Sequence, residues 1–336
     1  MSGAPPAEYL IFITIGLSWI FGFINGFHDT ANSIATVVST RVLSPRLAVL
    51  MSAVLNLVGA LISRKVAVTI GKGIVDPSNI TITVTIAAVS AAIIWDLVTW
   101  YLSLPSSSHH ALVGGIVGAT IVGSGFHVLD LHVLKKILLI LMISPVLGFI
   151  AGNRLMTGLS WLFRRTSAYA TGWWFRKLQL FSAAFMSLSH GENDAQQPMG
   201  LIAAALVIAG HSAHGSGNSF NIPLWVVFTC GAWMALGTML GGWRIIKTMG
   251  DRMLRLRPID GFARETGAAT IIYAASRLGM PVSTTHTITS SLMGVGAAKR
   301  LNAVRWGVAK NIVYAWLLTL PASAVIGAIL RLILGR

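Results

Sequence analysis

The chain has 336 residues, of which 54% are hydrophobic and only 10% are charged. Soluble domains carry about 25% charged residues, so this composition excludes an ordinary soluble protein and indicates an integral membrane protein. The net charge of +15 lies in short segments between apolar stretches, which argues against a nucleic-acid-binding protein.

Six apolar stretches approach the roughly 20 residues that a helix needs to cross a bilayer. In chain order they are residues 9–28, 46–63, 81–104, 136–156, 223–243 and 308–334. Long apolar runs, rather than short alternating ones, predict helices as the spanning elements and therefore an all-α, polytopic fold. Because Cys230 is the only cysteine, neither a disulfide framework nor a cysteine metal site is expected.

Two polar motifs each occur twice within this apolar sequence. An acid and amide motif at residues 25–32, Asn-Gly-Phe-His-Asp-Thr-Ala-Asn, is echoed at residues 190–197 as His-Gly-Glu-Asn-Asp-Ala-Gln-Gln. A hydroxyl motif at residues 105–110, Pro-Ser-Ser-Ser-His-His, is echoed at residues 281–286 as Pro-Val-Ser-Thr-Thr-His. Such polar groups are costly in hydrocarbon and mark sites for a polar cargo or an ion, so the duplication indicates a transporter with internal symmetry.

The repeated motifs divide the chain near residue 165 into two transmembrane repeats, residues 1–165 and 166–336, within one membrane domain. Shorter apolar segments follow the motifs, at residues 29–40, 109–126, 194–210 and 286–298. Interrupted segments at matching positions of two halves predict broken or re-entrant helices that meet at a central site. An odd number of crossings in each half would invert one repeat relative to the other, and we expect this inversion.

Basic residues cluster in two connecting regions, residues 154–177 and 244–264. Cytoplasmic loops carry an excess of lysine and arginine, so both regions are expected on the cytoplasmic face. The first 40 residues contain no lysine or arginine, which favours an N-terminus on the outside. The first apolar segment has no basic leader before it and is predicted to be a membrane helix rather than a signal peptide.

The hydroxyl motifs have the composition of helix starts. Serine and threonine are good N-caps and proline suits a first helical turn, so each motif predicts the start of a short helix. Two such starts facing each other would offer free N–H groups, positive dipole ends and hydroxyls to an oxyanion. Ordinary capping is the alternative for either motif alone, and the duplication favours the pocket. The predicted anion ligands are Ser106, Ser107, Ser108, Ser283, Thr284 and Thr285.

The acid motifs suit a cation. On a helix Asp29 and Asn32, three residues apart, share a face, as do Asp194 and Gln197. Their oxygens suit a hard cation such as Na⁺, whereas a desolvated carboxylate can equally carry a proton. The alternative is that both acids cap helices near the interface. We predict a coupling site for H⁺ or Na⁺ at these four residues, with Asn193 beside them, and no other cofactor.

Further ionisable side chains lie near these motifs. His110 and His286 occupy the same offset in the two hydroxyl motifs and are predicted to relay protons or to donate to the anion, with packing as the alternative. Glu265 is close enough in sequence to the second hydroxyl motif to reach the site, but it also follows Arg264 and can pair with it. Asp96 stands within a long apolar run, and function and structural pairing remain equal alternatives for it.

The motifs resemble those of the inorganic phosphate transporter (PiT) family. Residues 26–33, Gly-Phe-His-Asp-Thr-Ala-Asn-Ser, are similar to the family's GANDVANS-type signature, and residues 191–196 resemble its second copy. Residues 281–286 are similar to the family's P-[VI]-S-T-T-H run, and residues 105–110 resemble the counterpart of that run in the first half. Four linked motifs in order make the resemblance specific.

This resemblance implies uptake of inorganic phosphate driven by H⁺ or Na⁺, through inverted repeats that converge on a buried site in a homodimer. It assigns the coupling cation to Asp29, Asn32, Asp194 and Gln197, and the anion to the two hydroxyl motifs. We accordingly expect a multi-pass protein of the cytoplasmic (inner) membrane.

Three residues depart from the family pattern. His28 stands where asparagine is common, His109 stands where the second copy has Thr285, and Asn56 stands where some relatives carry glutamate. Because Asn56 replaces that glutamate, the coupling ion assigned in those relatives does not automatically carry over to this chain. The chain also lacks the large central hydrophilic domain of longer members, so regulation through such a domain is not expected.

Other functions remain as alternatives to phosphate transport. Sulfate is the nearest, because sulfate-carrying relatives of the family exist and both anions are tetrahedral. Phosphate near neutral pH can donate its remaining proton to a buried carboxylate, whereas sulfate is fully ionised, so the acids favour phosphate. An anion channel would need a continuous pore and no coupling acids. No nucleophile elbow, HExxH or Walker sequence is present, which argues against an intramembrane enzyme.

Overall fold

The computed structural model describes residues 7–76, 79–210, 214–215, 219–248 and 256–335. Within these ranges nearly all regular structure is helical, and the exceptions are a two-stranded antiparallel sheet of β1 (His214–Gly215) and β2 (Ser219–Phe220) and an isolated β-bridge between Val75 and Leu129. The all-α fold class is therefore confirmed.

The helices of the first half are α1 (Ala7–Ser39), α2 (Pro45–Ala60), α3 (Lys65–Val68), α4 (Ile82–Tyr101), α5 (Ser108–Gly123) and α6 (Leu131–Leu162). A π-helical segment, Thr69–Gly73, continues α3, and a 3₁₀ turn, Phe126–Val128, precedes α6. The helices of the second half are α7 (Ala168–Asp194), α8 (Gln196–Ile208), α9 (Leu224–Leu240), α10 (Trp243–Lys247), α11 (Pro258–Arg277), α12 (Thr284–Lys299) and α13 (Trp306–Leu334), with a 3₁₀ turn at Leu301–Ala303.

Several helices are long and apolar enough to cross a membrane. In the described part of the chain these are α1, α4, α6 and α13, and α2 with α3 and its π-helical segment makes a fifth span, bent by 64°, if the pair is counted as one. Each of the six predicted apolar stretches coincides with a helix. The chain is a multi-pass helical membrane protein.

The two acid motifs differ in their backbone. α7 ends at Asp194 and α8 begins two residues later, so the predicted interruption is present in the second half. Pro198 explains it, because proline has no N–H for the carbonyl of Asp194 and its ring clashes with that carbonyl. In the first half the interruption predicted at residues 29–40 is wrong, since α1 continues to Ser39. The residue equivalent to Pro198 is Ser33, which keeps its N–H.

The hydroxyl motifs start short helices, as predicted. α5 and α12 are each 16 residues long, and their N-caps are Ser107 and Ser283. Pro105 and Pro281 lie two residues before these caps, so the expectation that they occupy the first helical turn is wrong. Their fixed φ instead constrains the connecting segments that lead into α5 and α12.

Helices of one half pack against helices of the other in matching pairs. α6 packs against α12 and α13 packs against α5, while α2 packs against α7 and α9 packs against α1. Two of these contacts are close because glycine lies at them: a Cβ on Gly118 would lie 1.9 Å from the carbonyl oxygen of Ala324, and one on Gly152 would lie 2.2 Å from that of Ser291. This reciprocal packing is consistent with the predicted inverted repeats.

Candidate transport site

The starts of α5 and α12 have the same capping geometry. The hydroxyl of Ser107 accepts a hydrogen bond from the backbone N–H of His110 at 3.3 Å, and that of Ser283 accepts one from the N–H of His286 at 3.1 Å. An N-cap side chain satisfies one of the N–H groups that have no partner within the helix. Both caps are buried, so two positive helix ends lie inside the bundle.

The two helix starts meet through their histidines. The ring centroids of His110 and His286 are 4.5 Å apart, and His286 also stacks on Trp316 with a centroid distance of 4.1 Å. The indole N–H of Trp316 donates to the carbonyl oxygen of Pro105 at 3.1 Å, which ties α13 to the first hydroxyl motif. These histidines therefore contact each other and an aromatic wall. The structure shows no hydrogen bond from either ring to the acids.

The carboxylate of Asp29 has three polar side chains around it. The hydroxyl of Ser108 donates to Oδ2 at 2.7 Å, and that of Thr285 donates to Oδ1 at 3.0 Å. Nδ1 of His28 also lies 2.7 Å from Oδ1. All four side chains are buried, and a buried carboxylate requires such donors to replace lost hydration.

The carboxylate of Asp194 has a looser environment. The hydroxyl of Thr284 donates to Oδ2 at 3.0 Å, and Nε2 of His190 lies 3.3 Å from the same oxygen. Nδ1 of His109 lies 4.0 Å from Oδ1, and this oxygen has no hydrogen-bond partner among the described residues. Asp194 thus keeps one acceptor oxygen available.

The two acids occupy equivalent places in a reciprocal arrangement. Within the first half Asp29 accepts a hydrogen bond from Ser108, the first residue of α5. Within the second half Asp194 accepts one from Thr284, the first residue of α12. Across the halves, Asp29 also accepts from Thr285 of α12, and Asp194 faces His109 of α5. Neighbouring residues of one helix therefore contact different acids, which brings Asp29 and Asp194 together at a single site, as the motifs predicted.

The amides of the predicted cation site are placed less tightly. Asn193 donates from Nδ2 to the hydroxyl of Ser276 at 2.8 Å, on α11. Gln197 is buried, and neither of its amide atoms has a hydrogen-bond partner among the described residues. The side chain of Asn32 lies outside the part of the chain that the structure describes.

A polar chain that the sequence did not reveal runs from α2 to Asp194. Asn56 donates from Nδ2 to the hydroxyls of Thr30 and Thr238, both at 3.0 Å, and its Oδ1 lies 3.2 Å from Nδ1 of His190. His190 then faces Asp194 with its other ring nitrogen. One sequence signal was available, because His190 opens the second acid motif at the position that Asn25 holds in the first.

A second polar group lies behind Asp29. Nε2 of His28 lies 3.2 Å from the hydroxyl of Thr99, which in turn contacts the hydroxyl of Ser106 at 2.8 Å. Ser106 therefore contacts α4 rather than an acid. Asp96, one turn before Thr99, is fully buried, and its carboxylate oxygens have no hydrogen-bond partner among the described residues.

Glu265 belongs to a separate buried cluster. Its oxygens accept hydrogen bonds from the hydroxyl of Thr36, from the amide of Gln179 at 3.2 Å and from the hydroxyl of Ser182 at 2.6 Å. Arg264 donates to Thr36 at 2.8 Å, so it shares a partner with Glu265. The structure shows no hydrogen bond between Glu265 and either hydroxyl motif.

The chemistry of the central site combines two kinds of ligand. Two helix N-termini and several hydroxyls suit an oxyanion, and two carboxylates suit a cation or a proton. A transition-metal centre is a poor match, because no cluster of three or more His, Cys, Asp or Glu side chains in the described ranges has metal-binding geometry. A polar site built jointly by two halves of a membrane helix bundle is characteristic of a membrane transport protein.

Comparisons with known proteins narrow this class. A family model described as "Phosphate transporter family" matches residues 25–327. A "Probable low-affinity inorganic phosphate transporter" of Rhizobium meliloti is 49% identical over 316 residues, covering 94% of this chain and 93% of that protein. The Bacillus subtilis protein of the same description is 46% identical over 317 residues, covering 94% of both chains.

A solved structure agrees with these relatives. The protein titled "The sodium-dependent phosphate transporter" superposes with a TM-score of 0.87 and 26% identity, covering 97% of this chain and 99% of its own. The chain belongs to the phosphate transporter family. Since these relatives are named as transporters, the prediction of a transport protein rather than an enzyme is confirmed.

Proposed function

We propose that this chain is a secondary active transporter that takes up inorganic phosphate across the cytoplasmic membrane by alternating access, coupled to H⁺ in preference to Na⁺. The observation that carries the proposal is the reciprocal arrangement of two buried carboxylates with the hydroxyls of two facing helix starts. Channels need no such buried acids, whereas a coupled carrier needs a cation site beside the cargo site.

The hydroxyls supply the anion site. In the structure, Ser108, Thr284 and Thr285 donate to carboxylates. A hydroxyl can rotate to another acceptor, so these groups can donate to phosphate oxygens once the acids are neutralised. Ser107 and Ser283 hold the helix ends that face the anion, as caps rather than as direct ligands. Sulfate would lack the proton that phosphate can give to an acid.

The histidine next to Asp194 supports proton coupling. Asn56 uses its NH₂ group for two threonine hydroxyls, and this orientation leaves its Oδ1 to accept the N–H of His190 at Nδ1. Nε2 of His190 then faces a carboxylate oxygen of Asp194 at 3.3 Å. Two acceptors in that position repel each other unless a proton lies on one of them. We therefore assign this pair as the proton carrier, with Asp29 as the second acid of the coupling site.

Alternating access has a structural basis in the short helices. α5 and α12 start inside the bundle and each packs against the long helix of the opposite half. The described side chains of both hydroxyl motifs are buried, so opening to either face requires these helix pairs to move relative to α1 and α7. Homodimer formation remains a prediction from the family resemblance.

The test is uptake into proteoliposomes under separately imposed H⁺ and Na⁺ gradients, with labelled phosphate or labelled sulfate. Concentrative phosphate uptake that follows the H⁺ gradient and collapses with a protonophore is the expected result. Uptake that follows only the Na⁺ gradient would assign Na⁺ as the coupling ion. Preference for sulfate would overturn the assignment of phosphate as the cargo. Flux that never raises the internal anion concentration above the external one would indicate a channel.

A further inference from the structure

A basic cavity of about 350 Å³ lies at one end of the bundle, lined by none of the site side chains described above. Its walls are the π-helical segment after α3, the first turns of α6, and the segment 278–281 that connects α11 to α12. Three exposed basic side chains line it, namely Lys72, His132 and Lys136.

The basic side chains of this cavity have no acidic partner among the described residues. No carboxylate lines it, and neither Lys72 nor Lys136 forms an ion pair among the described residues. The nearest acid along α6, Asp130, instead caps that helix by accepting from the N–H groups of His132 and Val133 at 2.9 and 3.0 Å. His132 and Lys136 are four residues apart and share a helix face. A concave site lined by one sign of charge concentrates ions of the opposite sign.

The cavity adjoins the segment that carries the second hydroxyl motif. Pro281 forms part of its wall and lies two residues before the N-cap Ser283. The π-helical segment is bonded to the same connection, because the hydroxyl of Thr69 donates to the carbonyl oxygen of Gly279 at 2.7 Å. Lys65, on α3, likewise donates to the carbonyl oxygen of Arg277 at 3.0 Å. Movement of this connection would therefore open a path between the cavity and the buried site.

The positive-inside rule assigns this cavity to the outer face. α6 contains 32 residues, which corresponds to about 48 Å of helix and exceeds the roughly 30 Å hydrocarbon core. Its C-terminal end is followed by Arg164 and Arg165, in a region that the positive-inside rule assigns to the cytoplasm. The first turns of α6, and the cavity beside them, therefore face outward, where an uptake system meets its substrate.

We propose that Lys72, His132 and Lys136 form an outer recruitment site for free inorganic phosphate, which holds the anion before it enters the buried site. This proposal rests on the proposed function. The same cations would also suit the phosphodiester of an anionic lipid headgroup, because both ligands present phosphate oxygens. A recruitment site raises the local phosphate concentration and does not take part in the coupled movement, so it acts on KM and leaves kcat unchanged.

The experiment measures initial phosphate uptake by the full chain in phosphatidylcholine vesicles at low ionic strength. We expect K72Q/K136Q to raise KM about tenfold with kcat unchanged, which is the lower end of the electrostatic steering range. At about 1 M salt the Debye length falls to roughly 3 Å, so the wild-type and double-variant KM values should converge. Both lysines are exposed and have no partner among the described residues, so the variants should fold normally.

The matched control is K135Q, which removes the same charge from the next residue of α6 without touching the cavity lining. Its KM should stay within about twofold of wild type. The single variant K136Q is measured beside it, and an equal rise in KM for K135Q and K136Q would show that general surface charge, rather than the cavity, attracts phosphate. An unchanged KM in K72Q/K136Q would contradict the recruitment site outright.

A second vesicle composition separates free phosphate from lipid. If the double variant differs from wild type only in vesicles that contain phosphatidylglycerol, a lipid headgroup occupies the cavity and recruitment of free phosphate is excluded. Absence of any phosphate uptake by the wild-type protein would contradict the proposed function itself. That result is distinct from normal wild-type uptake that the lysine substitutions leave unchanged.

Discussion

The two acids of the central site are equivalent in sequence but differ in their surroundings. Asp29 lies within the continuous helix α1, and its oxygens have contacts of 2.7, 2.7 and 3.0 Å to three polar side chains. Asp194 lies where α7 ends, and its shortest contact is 3.0 Å, with one oxygen unbonded among the described residues. One acid is held in place, whereas the other is available to a proton, a cation or the cargo.

On the proposed function, this difference gives the two copies of the duplicated sequence different roles. The reciprocal contacts preserve the shared geometry, so both acids remain beside both hydroxyl motifs. Two local differences set how firmly each carboxylate is held: Pro198 follows Asp194, and His28 precedes Asp29. We therefore expect Asp29 to organise the site and Asp194 to exchange the proton, and the following substitutions test this division.

The largest effects are expected from neutralising the acids. Asp29→Asn and Asp194→Asn should each reduce gradient-driven phosphate uptake by at least about 100-fold, which corresponds to about 3 kcal/mol, since each removes a buried carboxylate that the proposed coupling requires. Stability should separate them: Asp29→Asn should lower the free energy of unfolding by about 2–3 kcal/mol, and Asp194→Asn by about 1 kcal/mol or less. Uptake in proteoliposomes and thermal unfolding in detergent measure the two quantities.

Membrane insertion and the elution profile of each variant serve as the control for folding. Normal phosphate accumulation by both variants would refute the coupling assignment. Equal losses of stability would instead refute the idea that only Asp29 is firmly held.

A smaller effect is expected from restoring the helix at the second acid. Pro198→Ala supplies the N–H that can bond to the carbonyl of Asp194, so α7 and α8 should become more continuous and the protein more stable. Phosphate uptake should fall about tenfold, because a site group displaced by about an ångström loses much of its effect. Ser33→Ala, at the equivalent position of α1, is the matched control and should change uptake by less than about threefold. Unchanged uptake in Pro198→Ala would mean that the break has no role.

Local chemistry explains which parts of this site were predictable. Capping preferences depend on a few adjacent residues, so the starts of α5 and α12 followed directly from Ser107 and Ser283. The meeting of Asp29 with Asp194 followed from the duplication of two motifs in one order. The duplication predicts a break in both copies, whereas α1 is continuous because Ser33 keeps the N–H that its counterpart Pro198 lacks.

The polar contacts of Asn56 and Glu265, which lie outside the repeated motifs, were not predictable. Asn56 reaches His190 only because α2 packs against α7, and no spacing within either helix indicates that pairing. Glu265 finds Thr36 and Ser182 in the same way, through the packing of α11 against α1 and α7. Such polar clusters depend on tertiary packing, which a single sequence does not display.

The two threonine hydroxyls that donate to the acids should have intermediate effects. Thr285→Val removes the hydroxyl that donates to Asp29 from the opposite half. Thr284→Val removes the hydroxyl that donates to Asp194 within the same half. Valine keeps the shape, so each change should cost about 1–1.5 kcal/mol and raise the KM for phosphate about five- to tenfold. Only Thr285→Val should also lower thermal stability measurably. The reverse order of stability would place the firmly held acid in the second half.

The smallest effects are expected at the two N-caps, where the halves have the same geometry. Ser107→Ala and Ser283→Ala each remove one cap, at a cost of about 1 kcal/mol. The KM for phosphate should rise about threefold in both variants, because the positive helix end shifts slightly relative to the anion. Ser167→Ala, which removes the cap of α7 far from the site, is the matched control and should lower stability similarly without changing KM.

If all three variants share the same KM, the facing helix starts do not bind the anion. A rise in only one of the two site variants would show that the asymmetry of the acids extends to the anion, so that one short helix holds the phosphate and its counterpart only completes the packing.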